Sequence, residues 1–214
     1  MSFLYHEELY RSPQFMKQLE DIRITICGAG ALGANLAESL IRSGVKQLKV
    51  IDRDRIEERN LSTQPYFRAD VGSFKAKILS ASLFRAVGAK VQAECKELTS
   101  GNVRKFLKDT DLVIDAFDNS VAREAVTAFC LKKELPCLHT GMATEYAEVI
   151  WNELYQVPSD AMDDICDYPL ARNLVTLTSS ITSEVILRYI ATGQKENYTL
   201  TFGDLKIQPY PPAS

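Results

Sequence analysis

Paired cysteines and histidines, the usual ligands of a structural zinc ion, are almost missing from this chain. The sequence has two histidines, His6 and His139, and no C-x-x-C pair, so a structural zinc site is not expected. Cys137 and His139 share one face of a predicted strand and are interpreted as buried packing residues. The odd number and wide spacing of the cysteines favour reduced thiols and a cytoplasmic protein. The five are Cys27, Cys95, Cys130, Cys137 and Cys166.

Long apolar runs and an excess of positive charge are missing as well. No stretch of about 18 apolar residues occurs, so no membrane-spanning helix is predicted. The opening residues, MSFLYHEELYRS, lack the apolar core of a signal peptide. A net charge of −3 argues against a nucleic-acid partner. The hydrophobic content of 46 % and charged content of 25 % are typical of a globular protein.

Short apolar stretches alternate along the chain with segments of helical periodicity. This alternation predicts an α/β fold, a doubly wound Rossmann-like mixed sheet with helices on both faces. An N-terminal helical arm is predicted over 1–20, and a single domain over 21–214. Within that domain we expect a crossover loop at about 155–172 and a final helix over 173–191. Strands are predicted at 22–26, 48–51, 91–93, 112–114, 135–138 and 147–151. Further helices are predicted at 31–42, 74–87 and 122–133, and a closing hairpin is predicted in TLTFGDLKI.

A glycine-rich turn, CGAGALG, follows the first predicted strand. Gly28 permits a tight turn, Gly30 lets the backbone approach a phosphate, and Gly33 lets the next helix pack close to the strand. That helix points its first N–H groups at an anion. Asp52 lies near the separation of about 20 residues expected for a carboxylate that binds ribose. The turn predicts a nucleotide site, but its spacing does not distinguish a dinucleotide from another nucleotide.

Cationic and amide side chains are dense in the segment that follows Ile51. The residues IDRDRIEERNLSTQPYF and DVGSFKAK favour a triphosphate, whose terminal charge needs neutralising. A solvated charged loop is the alternative, and it explains Arg53 and Arg55 better than the uncharged run NLSTQPYF.

The motif DAFDN ends a predicted buried strand. Asp115 and Asp118 could hold Mg²⁺, which takes one or two carboxylates together with substrate phosphates. Alternatively, Asp118 caps the helix that follows. Gly141 also lies at a strand end, and ligands bind beyond the carboxyl ends of strands in such sheets. All these residues are therefore expected to converge on one crevice.

In order, these motifs resemble those of the ThiF/MoeB/HesA family, relatives of the ubiquitin-activating enzymes. The motifs are GAGALG, D-x-D-x-I-E-x-x-NL-x-x-Q, G-x-x-K and D-x-x-DN, and the resemblance extends from Leu9 to about Gly193. It implies an enzyme that binds ATP and Mg²⁺ and adenylates the C-terminal carboxylate of a ubiquitin-like protein or peptide. That partner would be another chain, and the enzyme would be a homodimer.

The resemblance also implies roles for particular residues. Asp118 would hold Mg²⁺, Lys75 would steady the phosphates, and Arg11 would reach the γ-phosphate bound in the partner subunit. Cys166 falls where family members keep a cysteine that attacks the acyl-adenylate. The implied nucleotide-binding residues are Gly28, Gly30, Ala31, Gly33, Asp52, Asp54, Asn60, Gln64, Lys75 and Asn119.

Two positions depart from what the resemblance implies. Thr63 stands where the family usually has a phosphate-contacting arginine, so Arg59, Arg68 or Arg11 would have to substitute for it. Three aspartates near Cys166 disfavour its thiolate, although Arg172 could compensate, so a simple half-buried thiol is the alternative to a nucleophile. The remaining cysteines outside Cys137, namely Cys27, Cys95 and Cys130, are interpreted as packing residues.

Two other functions stay open on sequence grounds. An NAD(P)-dependent oxidoreductase would use the same glycine turn with a positioned acid or base, for which only His139 lies near the right edge of the sheet. A catalytically idle nucleotide-binding subunit would explain Thr63. It would not need Asp52, Lys75 and Asp118 together.

Overall fold

An eight-stranded mixed sheet forms the centre of the described part of the protein, residues 2–158 and 169–211 of the computed structural model. The strand order is β3-β2-β1-β4-β5-β6-β7-β8. Strands β1 to β5 pair in parallel, and β6, β7 and β8 add antiparallel to the β5 edge. The bounds are β1 Arg23–Cys27, β2 Gln47–Ile51, β3 Gln92–Glu94, β4 Leu112–Asp115, β5 Cys137–Ala143, β6 Tyr146–Trp151, β7 Tyr198–Thr201 and β8 Lys206–Pro209.

Helices connect the parallel strands and precede the first of them. Two short 3₁₀ helices, Glu58–Ser62 and Arg68–Asp70, lie between β2 and α4. The α-helices are α1 Tyr5–Tyr10, α2 Pro13–Asp21, α3 Ala31–Ser43, α4 Lys75–Val87, α5 Val103–Leu107, α6 Ser120–Lys133 and α7 Arg172–Thr192.

The side chains of the parallel strands alternate between two apolar layers. On one face, Ile24, Ile26 and neighbouring strand residues pack in the cluster that contains the buried sides of α3, α4 and α7. On the other face, Cys27 and Val113 pack in the cluster that contains residues of α5 and α6. Helices therefore cover both faces, because the parallel strands are apolar on both sides. The predicted doubly wound Rossmann-like mixed sheet is confirmed.

Local signals set several helix ends. Gly44 follows α3 with a φ of +115°, and Gly193 follows α7 with a φ of +73°, both left-handed conformations that glycine adopts freely. Ser12 accepts a hydrogen bond from the backbone N–H of Phe15, and Pro13 occupies the first position of α2. The long helices and the closing hairpin lie where the sequence predicted them.

Other elements differ from the sequence prediction. Helix α5 and the two 3₁₀ helices were not predicted, because segments of three to five residues are too short to show a helical period. Strand β5 starts later than expected and continues through Gly141 to Ala143, since β6 pairs with it over that whole length. The division into an arm over 1–20 and a domain over 21–214 stays a prediction.

No helix in the described residues is both long enough and apolar enough to cross a membrane.

Candidate nucleotide site

The glycine turn between β1 and α3 is closely packed at two of its three glycines. Gly28 has a φ of +104°, and a Cβ there would lie 2.8 Å from the carbonyl oxygen of Ala116. A Cβ on Gly33 would lie 2.0 Å from the carbonyl oxygen of Gly28, because α3 begins directly against the turn. A Cβ on Gly30 would meet no atom within 4 Å. The turn thus presents open backbone at Gly30 to whatever fills the pocket.

Asp52 ties the end of β2 to this turn. Its Oδ2 accepts a hydrogen bond from the N–H of Ala29 at 2.6 Å, and its Oδ1 accepts one from the N–H of Asp54 at 2.6 Å. The side chain is buried, and burial raises the pKa of Asp52 even though both hydrogen bonds favour the ionised form. Each oxygen keeps a further lone pair that could accept a hydroxyl proton.

The ammonium group of Lys75 is held at the start of α4. The N–H of Lys75 donates to the carbonyl oxygen of Asp54 at 2.9 Å, and Nζ lies 3.3 Å from Asp54 Oδ2. The lysine side chain is only 11 % exposed, so its charge is fixed beside the pocket and does not move freely in solvent. The hydroxyl of Tyr66 donates to the carbonyl oxygen of Ala29 at 2.8 Å and so helps to hold the glycine turn in place.

The DAFDN motif places its two carboxylates in opposite environments. Asp115 is fully buried, and its carboxylate contacts the N–H of Phe117 and the Nδ1 of His139. It therefore does not face the pocket. Asp118 is exposed, and no hydrogen bond or ion pair engages its carboxylate within 2–158 and 169–211. Helix α6 is capped by Asn119, whose Oδ1 accepts a hydrogen bond from the N–H of Ala122 at 2.8 Å. The alternative interpretation, in which Asp118 caps this helix, is therefore wrong.

One pocket at the carboxyl ends of the strands brings many of the predicted residues together. Lys96 and Glu97, which also line it, were missed by sequence reasoning, although their position directly after β3 follows the same strand-end rule. The predicted residues that line it are Gly28, Gly30, Asp52, Asp54, Lys75, Asp118 and Asn119.

The profile of the ThiF family matches residues 6–161, which is most of the chain. The chain belongs to the ThiF family. The resemblance drawn from GAGALG, the acidic motif after Ile51 and DAFDN is confirmed.

Two ThiF-related proteins illustrate the sequence similarity. The sulfur carrier protein ThiS adenylyltransferase of Bacillus subtilis is 33 % identical over 138 residues, covering 63 % of this chain and 41 % of that protein. The SUMO-activating enzyme subunit 2 of Dictyostelium discoideum is 32 % identical over 135 residues, covering 62 % of this chain and 20 % of that protein. The chain therefore spans less than half the length of these curated relatives.

Solved structures share the fold of this ThiF chain at low sequence identity. Escherichia coli MccB with AMPCPP and MccA superposes with a TM-score of 0.81 at 16 % identity, covering 95 % of this chain and 68 % of MccB. Escherichia coli tRNA N6-threonylcarbamoyladenosine dehydratase, TcdA, in complex with ATP gives a TM-score of 0.77 at 17 % identity, covering 89 % and 94 % of the two chains.

Several residues that the ThiF resemblance implies lie outside this pocket. Asn60 accepts a hydrogen bond from the N–H of Glu57 at 2.9 Å and so caps a 3₁₀ helix. Gln64 is buried, and its Oε1 meets no hydrogen-bond donor among the described residues, which leaves an acceptor for a ligand. Ala31 and Gly33 lie in the first turn of α3 and do not line the pocket. Gly141, which the strand-end rule placed in the crevice, lies beside Arg123 and Glu148 instead. Cys166 falls outside the described residues.

Arg11 is engaged within its own chain. Its Nε lies 2.6 Å from Glu7 Oε2, and its guanidinium lies over the ring of Phe15 and 3.5 Å from Glu184 Oε2 on α7. A role toward a partner subunit stays a prediction, and it would require breaking these ion pairs.

Thr63 is buried in this ThiF chain, and its carbonyl oxygen accepts a hydrogen bond from Asn35 Nδ2 at 2.9 Å. Of the arginines considered as substitutes, Arg59 pairs with Glu57 at 2.6 Å and Arg68 with Glu58 at 3.1 Å. The Arg68 pair lies on the surface and costs little to break, so the Arg68 side chain can reorient toward a ligand.

Cys27, Cys130 and Cys137 are buried, in agreement with the packing interpretation, while Cys95 is half-buried. His139 is buried as well, but its ring nitrogens form hydrogen bonds with Asp115 and Asn152, so it does more than fill apolar space.

Proposed function

We propose that this protein is an ATP·Mg²⁺-dependent adenylyltransferase that activates the C-terminal carboxylate of a ubiquitin-like protein or peptide. The observation that carries the proposal is the meeting of Asp118, Lys75 and the Gly28–Gly33 turn around one pocket. The names of the curated relatives, several of them adenylyltransferases, support the same reaction. Members of the family bind a nucleotide with this fold, and the charged and N–H groups that line the pocket suit a nucleotide.

The pocket suits the phosphates and the ribose of ATP. The N-terminus of α3 and the open backbone at Gly30 present N–H groups to a phosphate. Lys75 and Lys96 supply positive charge, and the remaining lone pairs of Asp52 would accept ribose hydroxyls. A nicotinamide dinucleotide would make less use of the two lysines, because it has no terminal phosphate to neutralise.

Asp118 has the donor chemistry that Mg²⁺ requires. Among the described residues, no group of three or more His, Cys, Asp or Glu side chains is arranged to hold a metal ion. One carboxylate together with substrate phosphates is a usual set of ligands for Mg²⁺. The bound ion would supply charge stabilisation on the phosphate oxygens.

In the proposed reaction, a carboxylate oxygen of the acceptor attacks the α-phosphorus of ATP, and the bond to the β-phosphate oxygen breaks. The products are the acyl-adenylate and pyrophosphate. Lys75 stabilises the charge that grows on the phosphates, and the backbone N–H groups of the turn hold the α-phosphate in line. No acid or base in the protein is needed, because the attacking carboxylate is already ionised and pyrophosphate leaves as an anion whose new charge Lys75 stabilises.

We also propose that the enzyme acts in the cytoplasm as a homodimer, since its thiols are free in the described chain and Arg11 would complete a neighbouring site. Cys166 remains a candidate nucleophile toward the acyl-adenylate.

Calorimetric titration with ATP and with NAD⁺, each with and without Mg²⁺, tests the nucleotide assignment. We expect micromolar binding of ATP that weakens at least about tenfold when EDTA removes the metal, because the ion links the phosphates to Asp118. Binding of NAD⁺ in preference to ATP would overturn the proposal and restore the oxidoreductase. That function has lost its acid–base candidate, because both ring nitrogens of His139 face buried partners.

An idle nucleotide-binding subunit is the second candidate, and Thr63 favours it. It predicts ATP binding with no ATP–pyrophosphate exchange in the presence of any acceptor. Adenylation predicts that exchange occurs once the acceptor is added.

Replacing Gly30 with alanine is expected to weaken ATP binding by about tenfold without changing stability. The new methyl group meets no protein atom within 4 Å, so the fold tolerates it, but it projects where a phosphate would approach the backbone. Calorimetry and thermal unfolding of the same sample measure the two effects. An unchanged ATP affinity would mean that the phosphates do not bind beside Gly30.

A further inference from the structure

The backbone of Phe117, the residue before Asp118, is held at both its N–H and its carbonyl oxygen. The N–H of Phe117 donates to Asp115 Oδ1 at 3.1 Å, and the carbonyl oxygen of Phe117 accepts from Arg123 Nε at 2.6 Å. Asp118 itself forms no such bond in the described chain. Asp115 and Arg123 therefore fix the backbone from which the Asp118 side chain projects.

Arg123 is fixed by more than this one contact. Its two remaining nitrogens donate to the hydroxyl of Tyr155 at 2.6 Å and to the carbonyl oxygen of Thr140 at 3.0 Å. Burial opposes its charge, yet Asp115 and Tyr155 keep the pKa of Arg123 above its usual range. The guanidinium thus joins α6, β5 and the residues after β6 in one rigid arrangement.

His139 holds the other carboxylate oxygen of Asp115. The imidazole is fully buried and stacks on the ring of Tyr155, with centroids 3.7 Å apart and planes 6° apart. Its Nδ1 lies 2.9 Å from Asp115 Oδ2, and its Nε2 lies 2.6 Å from Asn152 Oδ1. The amide nitrogen of Asn152 lies 3.4 Å from the carbonyl oxygen of Thr127, which favours the orientation that turns the amide oxygen to His139.

Each ring nitrogen therefore has an oxygen as its nearest partner, and Nε2 also lies 3.5 Å from the Sγ of Cys137. A neutral imidazole carries one N–H and would leave one lone pair opposite an oxygen, at 2.6 or 2.9 Å. An imidazolium donates at both positions. Burial opposes the ionised form of Asp115, but Arg123 and His139 hold the pKa of Asp115 below its usual range. The other titratable groups that face this cluster are Glu148, Tyr155 and Cys137.

We propose that Asp115, His139 and Arg123 form a buried charge clamp that positions Asp118, and that His139 carries a proton on both ring nitrogens. His139 and Arg123 are positioning residues, since they act through Phe117 and touch no substrate. The role of Asp118 as metal ligand rests on the proposed function, whereas the protonation of His139 does not.

Nitrogen-15 NMR of the ring nitrogens tests the protonation directly. The chain has only two histidines, so a His6→Gln variant leaves the signals of His139 alone. At neutral pH we expect both nitrogens in the protonated range, each coupled to a slowly exchanging proton. One protonated and one unprotonated nitrogen would overturn the charged clamp, whatever the activity of the protein.

Kinetics of ATP–pyrophosphate exchange test the positioning role. In His139→Gln, which keeps one donor but no charge, we expect kcat to fall by about 30-fold and the Mg²⁺ concentration for half-maximal rate to rise by about tenfold, with little change in the KM of the acceptor. Arg123→Lys keeps the charge but loses the three hydrogen bonds of the guanidinium. We expect it to change kcat and the Mg²⁺ dependence in the same way, with little change in the KM of the acceptor, so it replaces His139→Gln if that variant does not fold.

Thr25→Val is the matched control. Thr25 is also buried and polar on a neighbouring strand, but its hydroxyl pairs at 2.7 Å with Thr110, which precedes β4, whereas Asp115 is the last residue of that strand. We expect it to lower stability and to leave kcat and the Mg²⁺ dependence unchanged. Equal kinetics in Thr25→Val and both clamp variants would overturn the positioning role. A wild-type protein with no exchange activity would instead overturn the proposed function and leave the NMR result intact.

Discussion

Replacing Asp118 with alanine is expected to reduce ATP–pyrophosphate exchange by about a thousandfold without destabilising the fold. Electrostatic groups that act on the transition state commonly contribute two to three orders of magnitude, and in the proposed function Asp118 is the protein's carboxylate ligand to the metal. The side chain is exposed and engages no partner in the described chain, so its removal breaks no stabilising contact. Exchange rate and thermal unfolding midpoint, measured on the same preparation, give both quantities.

Asp109→Ala is the matched control for that experiment. Asp109 is an exposed aspartate just before β4, whereas Asp118 follows the same strand, so the two changes remove equal charge from opposite ends of it. We expect the control to exchange at the wild-type rate. If Asp118→Ala did so too, Asp118 would not be the metal ligand, and the assignment would have to move to another carboxylate of the pocket.

Replacing Gly33 with alanine is expected to lower the free energy of unfolding by about 3 kcal/mol, the upper end of the usual cost of overpacking. The added Cβ would lie 2.0 Å from the carbonyl oxygen of Gly28, so α3 would have to move away from the turn. For a protein of this size, that loss corresponds to a fall of roughly 10 °C in the unfolding midpoint. Urea denaturation followed by circular dichroism measures it.

Gly101→Ala provides the comparison for Gly33→Ala. A Cβ on Gly101 would meet only the hydroxyl of Thr99, at 3.8 Å, which is an ordinary contact. We expect this variant to stay within about 0.5 kcal/mol of the wild type, as surface substitutions usually do. A Gly33→Ala variant as stable as Gly101→Ala would mean that α3 does not begin against the turn in solution.

The glycine turn is the part of the site that the sequence predicts best. Its function depends on glycines at fixed spacing after a strand, and the strand is recognisable from the alternation of Ile24 and Ile26. The packing at Gly28 and Gly33 agrees with the roles expected from that spacing. The strand-end rule also brought Asp52 and Asp118 to one pocket, because parallel strands in a doubly wound sheet end at the same edge.

The DAFDN motif shows where prediction from local pattern ends. Asp115 and Asp118 are three residues apart and equally acidic. On sequence grounds both could hold a metal, and Asp118 could instead cap the helix that follows. Asp115 turns inward because His139, 24 residues away, and Arg123 on α6 offer it buried partners. Asn119, and not Asp118, has the geometry to cap α6. Those outcomes depend on pairings that no local period contains.

The amino-acid order alone therefore specified the strand–helix alternation, the helix-ending glycines and the nucleotide turn, since each depends on neighbours within about five residues. Tertiary structure decided the environment of each charge. Whether a carboxylate faces solvent, a lysine or a buried imidazole depends on which distant segments pack against it. Burial and charge pairing at those contacts made Asp115 a structural ion and left Asp118 free for a ligand.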